Sequence, residues 1–283
     1  TVILTANNTY SGGTTINAGT LQVGNGGATG SLNGNGVITN NSLLIFNTTG
    51  SFIYSGGGTI DGSGNVIIRG NGGVIGAYGA NTYTGWTLID PGATFQPSQG
   101  NQGALVSSII TNNGTLKLVR QDTATFFYSN NIVGTGRLLK DVNNDNANDV
   151  TLLGTNTYSG GTVIAGGQVV LGDGGTVGAG SITGKVIFTN SPTSQDVLRA
   201  IVFNRPDDLT FAGTLSGNGG AAVGNAGRVE QRGTGKLTLT GSNTHRCGAL
   251  VTAGTLLVNG ASTGTGTVTV NVGGTLGGTG TIG

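Results

Sequence analysis

The chemistry available to this chain is narrow: among 283 residues it has one histidine, one cysteine and one glutamate. His245 and Cys247 stand two apart. On a strand that spacing puts both on one face, where an imidazole could take the proton of a thiol nucleophile. No third group is placed to orient the ring, and a zinc site needs three or four ligands. The pair reads as variation within a structural slot. Asp141, Asn143, Asp145 and Asp149 supply oxygens at positions 1, 3, 5 and 9 of a calcium-like loop. Asn146 stands where such a loop needs glycine, and Leu152 where it needs a bidentate glutamate. A polar loop is the plainer reading, with calcium as the alternative. Asp207 and Asp208, beside Arg205, are the best candidate for the convergent carboxylates of glycan cleavage. A charged turn is the plainer reading of them, since no motif supports glycan cleavage. Gly-Gly and Gly-Asn-Gly steps abound without the following Lys-Ser/Thr of a phosphate loop. The sequence therefore names no catalytic residue, no cofactor-binding residue and no metal ligand set.

The elements that hold these residues follow from composition. Charged residues are 8% of the chain, against about 25% in ordinary soluble domains. Glycine occurs 58 times and proline 4 times, while 35% of residues are hydrophobic and the net charge is +1. Disorder requires low hydrophobicity and high net charge, and both are lacking. Gly, Thr, Asn and Val are poor helix formers; Thr, Val and Ile with Gly and Asn punctuation make short strands and turns. The fold class is all-β. Near-neutral charge gives no footprint for nucleic acid, and no run reaches the ~18–20 apolar residues of a membrane span. The chain opens at Thr1 without a signal peptide, which suggests an internal piece whose targeting and anchoring parts lie elsewhere. A single cysteine excludes an internal disulfide framework.

Internal repeats give the organisation. Asn8-Thr9-Tyr10-Ser11-Gly12-Gly13-Thr14 returns as Asn81-Thr82-Tyr83-Thr84-Gly85, as Asn156-Thr157-Tyr158-Ser159-Gly160-Gly161-Thr162, and as Asn243-Thr244-His245-Arg246-Cys247-Gly248. These spacings exceed the ~20–50-residue period of one solenoid unit, so each large repeat should hold three or four smaller coils. In Thr20-Leu21-Gln22-Val23 the leucine and valine face one side. The same alternation recurs at Leu116 and Leu118, Leu237 and Leu239, and Leu256 and Val258. So short a strand cannot bury its apolar face alone; stacked coils bury a continuous column. A propeller or sandwich would need paired antiparallel runs, although steps such as Asn33-Gly34 would suit hairpins. The expectation is a right-handed parallel β-helix (solenoid) of about a dozen coils, continuous over 1–283, and ~55–60 Å long at ~4.8 Å per coil. The divergent stretches 119–149 and 190–211 read as coils carrying larger loops. Tyr10, Tyr83 and Tyr158 share one slot and could form an aromatic row, although aromatics in such places more often pack a corner.

The run Leu152-Leu153-Gly154-Thr155-Asn156-Thr157-Tyr158-Ser159-Gly160-Gly161-Thr162-Val163-Ile164 closely resembles the autotransporter-associated β-strand repeat of bacterial passenger regions. Leu237 to Thr244 matches its front half, and Thr263 to Ile282 looks like the lead-in to another copy. The chain departs from the pattern at His245-Arg246-Cys247, and near 93–97, where the strand shifts by about one residue. The resemblance implies export across the outer membrane and an extracellular or cell-surface location. It implies a β-helical stalk acting in adhesion, aggregation or display, without catalysis or cofactor. The expected partner is a host-cell, neighbouring-cell or matrix surface, with no nucleic acid and no direct membrane insertion. A self-assembling filament or matrix protein is the alternative, and a polysaccharide-cleaving β-helix a remote one.

Overall fold

The computed structural model describes residues 1–32, 36–54, 58–97, 104–105, 107–120, 126–142, 149–191, 197–217 and 227–283. They fold as an all-β, right-handed parallel β-solenoid of about 11 turns, close to the expected dozen. No helix occurs among them, and so none is long and apolar enough to cross a membrane. The chain divides into two compact units.

The first unit comprises 1–119 and 130–138. Its longest wall is a seven-stranded parallel sheet that takes one strand from each successive coil, beginning Val2–Leu4, Thr20–Val23, Leu43–Asn47, Asn65–Arg69 and ending Asn131–Val133. The register aligns like with like: Leu21 pairs with Leu44, and Leu44 with Val66. A second wall contains Val74–Ala77 and Thr94–Gln96, and a third links Thr14–Ile16, Ile38–Asn40 and Ile60–Asp61. The second unit, 120–129 with 139–283, repeats the plan. Its seven-stranded wall runs from Phe126–Tyr128 through Gly167–Leu171 and Arg228–Gln231 to Val268–Val270. A four-stranded wall stacks Leu237 on Leu256 and Leu256 on Leu276.

The alternation read from the sequence sets the inside of each coil. Leu116, Leu118, Leu237, Leu239, Leu256 and Val258 are all buried. Every described ladder is parallel, so the hairpins of a propeller or sandwich are absent there; Asn33 and Gly34 lie outside the described residues. The stretches 119–149 and 190–211 contribute coils to the walls. They supply regular wall strands at Asn131–Val133, Arg137–Val142 and Arg199–Phe203. Segments 121–125, 143–148 and 192–196 within them lie outside the described residues.

One glycine per large repeat turns the corner. Gly19, Gly92, Gly167 and Gly254 each stand nine residues after the aromatic or histidine slot (19 − 10, 92 − 83, 167 − 158, 254 − 245). All four have left-handed φ, at 78°, 81°, 73° and 63°, a region where a Cβ is disfavoured. The inward strand residue comes two positions later at Leu21, Val169 and Leu256, but three later at Phe95. This is the one-residue shift read from 93–97.

Candidate functional site

The repeated Asn-Thr-Tyr slot is built for holding coils together. In all four copies the asparagine Nδ2 donates to the carbonyl two residues back: Asn8 to Ala6 at 2.8 Å, Asn81 to Gly79 at 3.0 Å, Asn156 to Gly154 at 2.9 Å, Asn243 to Gly241 at 3.2 Å. The same side chains also reach the neighbouring coil. Asn81 Oδ1 accepts from Ile60 N–H at 3.1 Å, and Asn243 Oδ1 from Leu215 N–H at 3.0 Å. The tyrosine hydroxyl pairs with the threonine hydroxyl four residues on, in Tyr10–Thr14 (2.6 Å), Tyr83–Thr87 (2.7 Å) and Tyr158–Thr162 (2.6 Å). Tyr83 and Tyr158 are fully buried, and burial pushes both phenols up. Only Tyr10 is open, so the three do not form an accessible aromatic row.

His245 occupies the tyrosine position and is also buried. Its fourth successor is Ala249, which has no hydroxyl, and His245 Nε2 instead donates to the Gly248 carbonyl at 3.0 Å. Burial holds the imidazole below its usual range, so the ring is neutral, and Nδ1 is buried without a partner. The ring packs near Phe188 at 6.3 Å and lines an apolar pocket with Val229, Leu256 and Val268. Cys247 follows in a turn and is half-buried. The expectation that His245 and Cys247 share a strand face is therefore corrected. The residues lie on a corner, because the tight Thr244–Gly248 bend leads into the strand only at Ala249.

The two aspartates at 207 and 208 point to separate cations. Asp207 accepts from Arg205 Nε at 3.2 Å and Nη2 at 2.5 Å, while Asp208 pairs with Lys236 Nζ at 2.5 Å. Both carboxyls are held below the ordinary range, first by these side-chain hydrogen bonds. They form the charged turn of the plainer reading. Of the calcium-like ligands, Asn143 and Asp145 lie outside the described residues. Asp141 is buried, and its Oδ1 accepts from Val142 N–H at 2.9 Å and Ser191 Oγ at 2.7 Å. No group of three or more potential metal-binding His, Cys, Asp or Glu side chains occurs among the described residues.

The most developed polar constellation is one the sequence reading did not assemble. Arg228, Glu230 and Arg232 alternate along one strand and just past its end, so all three face outward. Glu230 is almost fully buried, clamped by Arg228 Nη2 at 3.1 Å and Arg232 Nε at 2.8 Å, with the Thr252 hydroxyl at 3.3 Å. Arg232 Nη2 also donates to Gln168 Oε1 at 3.4 Å, and Gln168 Nε2 donates to Asp149 at 3.2 Å. Glu230 stacks in register between Val202 and Leu250, and Val170, Ala200 and Val202 form a buried apolar cluster on that wall. Low local polarity strengthens the ion pairs. It also raises the Asp149 carboxyl, through burial first, against the pull of Arg232 and the Gln168 hydrogen bond. The Arg-x-Glu-x-Arg alternation, in a chain only 8% charged, was the signal available for it.

A family model described as Passenger-associated-transport-repeat matches residues 1–23, 146–171 and 229–258. These three segments are similar to that repeat. Three of the four Asn-Thr-Tyr/His slots fall inside the matched segments, while the copy at Asn81 lies outside them. A segment of 85 residues is 49% identical to the Adhesin BmaC autotransporter of Brucella suis biovar 1 (strain 1330). That match covers 29% of this chain and 2% of that protein, so the chain spans a small part of the length of this curated relative. No solved structure matches the chain significantly.

Proposed function

We propose that this chain is part of the passenger of a bacterial surface protein, carried across the outer membrane and acting outside the cell in adhesion, aggregation or display. The 49% identity to an autotransporter adhesin carries this reading. The passenger repeats and the solenoid support it. We further propose that the chain is not an enzyme. Glu230, Asp207 and Asp208 are each held by a cationic partner, and the repeat's asparagine side chains are engaged in binding coil to coil. The adhesive reading is tested by coating beads with the purified chain and measuring saturable attachment to epithelial cells and to immobilised matrix proteins. Attachment well above that of beads coated with an unrelated β-solenoid is expected. Equal attachment on every surface would overturn it.

A further inference from the structure

The one histidine of the chain sits where three other repeats hold a tyrosine, and the exchange removes a partner. Tyr10, Tyr83 and Tyr158 each meet a threonine hydroxyl four residues on. His245 has Ala249 there, and it is only 2% exposed. A carbonyl can only accept, so the Gly248 carbonyl at 3.0 Å fixes the ring proton on Nε2. The bare nitrogen is Nδ1, which is buried and has no partner. A second proton must enter there.

The surroundings of the ring are poor at holding a cation. Its cavity is walled by Val229, Leu239, Leu256, Val258 and Val268, and the single polar side chain there, Ser262, does not bond Nδ1. Phe188 presents a tilted ring 6.3 Å away, at the outer limit of cation–π contact. The charged groups of the packed elements point elsewhere. Arg228 and Glu230 alternate outward from Val229 and pair with each other, Lys236 pairs with Asp208 at the surface, and Lys185 and Arg246 are exposed. Neighbouring coils also clamp the bend. Thr244 N–H donates to Leu215 O at 2.8 Å, Cys247 N–H to Gly227 O at 3.1 Å, and Gly248 O accepts from Val229 N–H at 3.3 Å. On the other side, a Cβ at Gly264 would overlap the His245 carbonyl, and one at Gly266 the Gly248 N–H. These two glycines let the next coil close against the bend, so the ring reaches water only when the bend opens.

We propose that His245 is an acid-operated latch: a proton added to its ring in mildly acidic medium opens the Thr244–Gly248 bend and frees it from the coils on either side. The inference goes beyond the adhesive reading and does not depend on it, since it concerns the purified chain alone. Burial holds the closed ring below the ordinary imidazole value of 6.5. Below that pH the opened bend binds a proton that the closed bend excludes. The closed bend is therefore fully stable above pH 6.5 and loses stability as pH falls beneath it. Asp149, raised by burial, works with the opposite sign.

Cys247, the single thiol, is half-buried within the bend and reports its opening. Its rate with dithiodipyridine, an acid-tolerant disulfide, is measured from pH 7.5 to 5 and divided at each pH by that of the urea-unfolded chain. A rise of about tenfold is expected, within the ceiling of ~30-fold that an unfolded imidazole titrating near 6.5 allows at pH 5. His245→Tyr with Ala249→Thr reinstates the hydroxyl pair of the other repeats and should leave the ratio flat, with unchanged far-ultraviolet circular dichroism. A flat ratio in the native chain, or equal rises in both chains, would overturn the proposal. Should the double variant not fold, the Hε1 resonance of the sole imidazole decides in the native chain. Thiol exposure that follows the titration of that resonance supports the latch, and a ring that titrates while Cys247 stays protected overturns it.

Discussion

The residues that looked most chemical have mainly mechanical work. Tyr158 closes on Thr162 inside the coil, so Tyr158→Phe should lower unfolding free energy by about 1 kcal/mol, the net worth of one such bond. Asn156→Ala removes the Nδ2 donor to both Gly154 and Ser181, whose carbonyls keep the backbone N–H groups of Ser181 and Asn156. It should cost about 2 kcal/mol, the net worth of two such bonds. Denaturant titration of both variants checks the ranking. Lys140 gives a pH-dependent counterpart. It is fully buried, donates from Nζ to the carbonyls of Asp141 at 2.9 Å and Gly166 at 3.2 Å, and burial lowers it from 10.5 to about 8. Between those values the unfolded chain holds a proton that the folded chain has released. Stability therefore rises as pH increases from 8 towards 10.5, by up to roughly 3 kcal/mol for this group alone. Lys140→Met should flatten that rise, as measured by thermal melts from pH 7 to 10.5.

At the level of strands and corners, the repeat could be read directly because its signals are local. Leu-x-Leu alternation fixes which side chains enter the coil, and a glycine nine residues beyond the tyrosine fixes where the chain turns. The corner glycines differ in what they tolerate. Gly19 has left-handed φ but nothing near a would-be Cβ, so Gly19→Ala should cost only the conformational strain, about 1–2 kcal/mol. Gly180 also has left-handed φ, and a Cβ there would lie 2.1 Å from Gly172 N and 2.3 Å from Leu152 O. Gly180→Ala should therefore disrupt the local ladder, seen as early loss of amide protection at Val150–Leu152 in hydrogen exchange, whereas Gly19→Ala leaves protection intact. The Asp149–Gln168–Arg232–Glu230 network was not legible in advance. Its members meet only because coils stack, and Arg232 and Gln168 are 64 residues apart in sequence.

For the molecule as a whole, low charge sets how it responds to its medium. The ion pairs Arg69–Asp90 and Lys236–Asp208 are partly exposed, and such pairs contribute little to stability. Raising sodium chloride from 0.05 to 1 M should therefore move the unfolding free energy by less than about 1 kcal/mol. A larger loss would show that electrostatics, and not apolar stacking with coil-to-coil hydrogen bonds, hold the solenoid.

Each unit is joined coil to next coil, as in the ladders Leu21 to Leu44 to Val66 and Leu237 to Leu256 to Leu276. Tension applied at a terminus therefore loads only the last ladder, not the stack behind it. Such a unit should yield by peeling, one coil after another, giving a sawtooth of small force peaks. Each peak would release on the order of 70–90 Å of chain for every ~20–25 residues freed. A tether with that response dissipates shear stepwise and can rewind from the last intact edge.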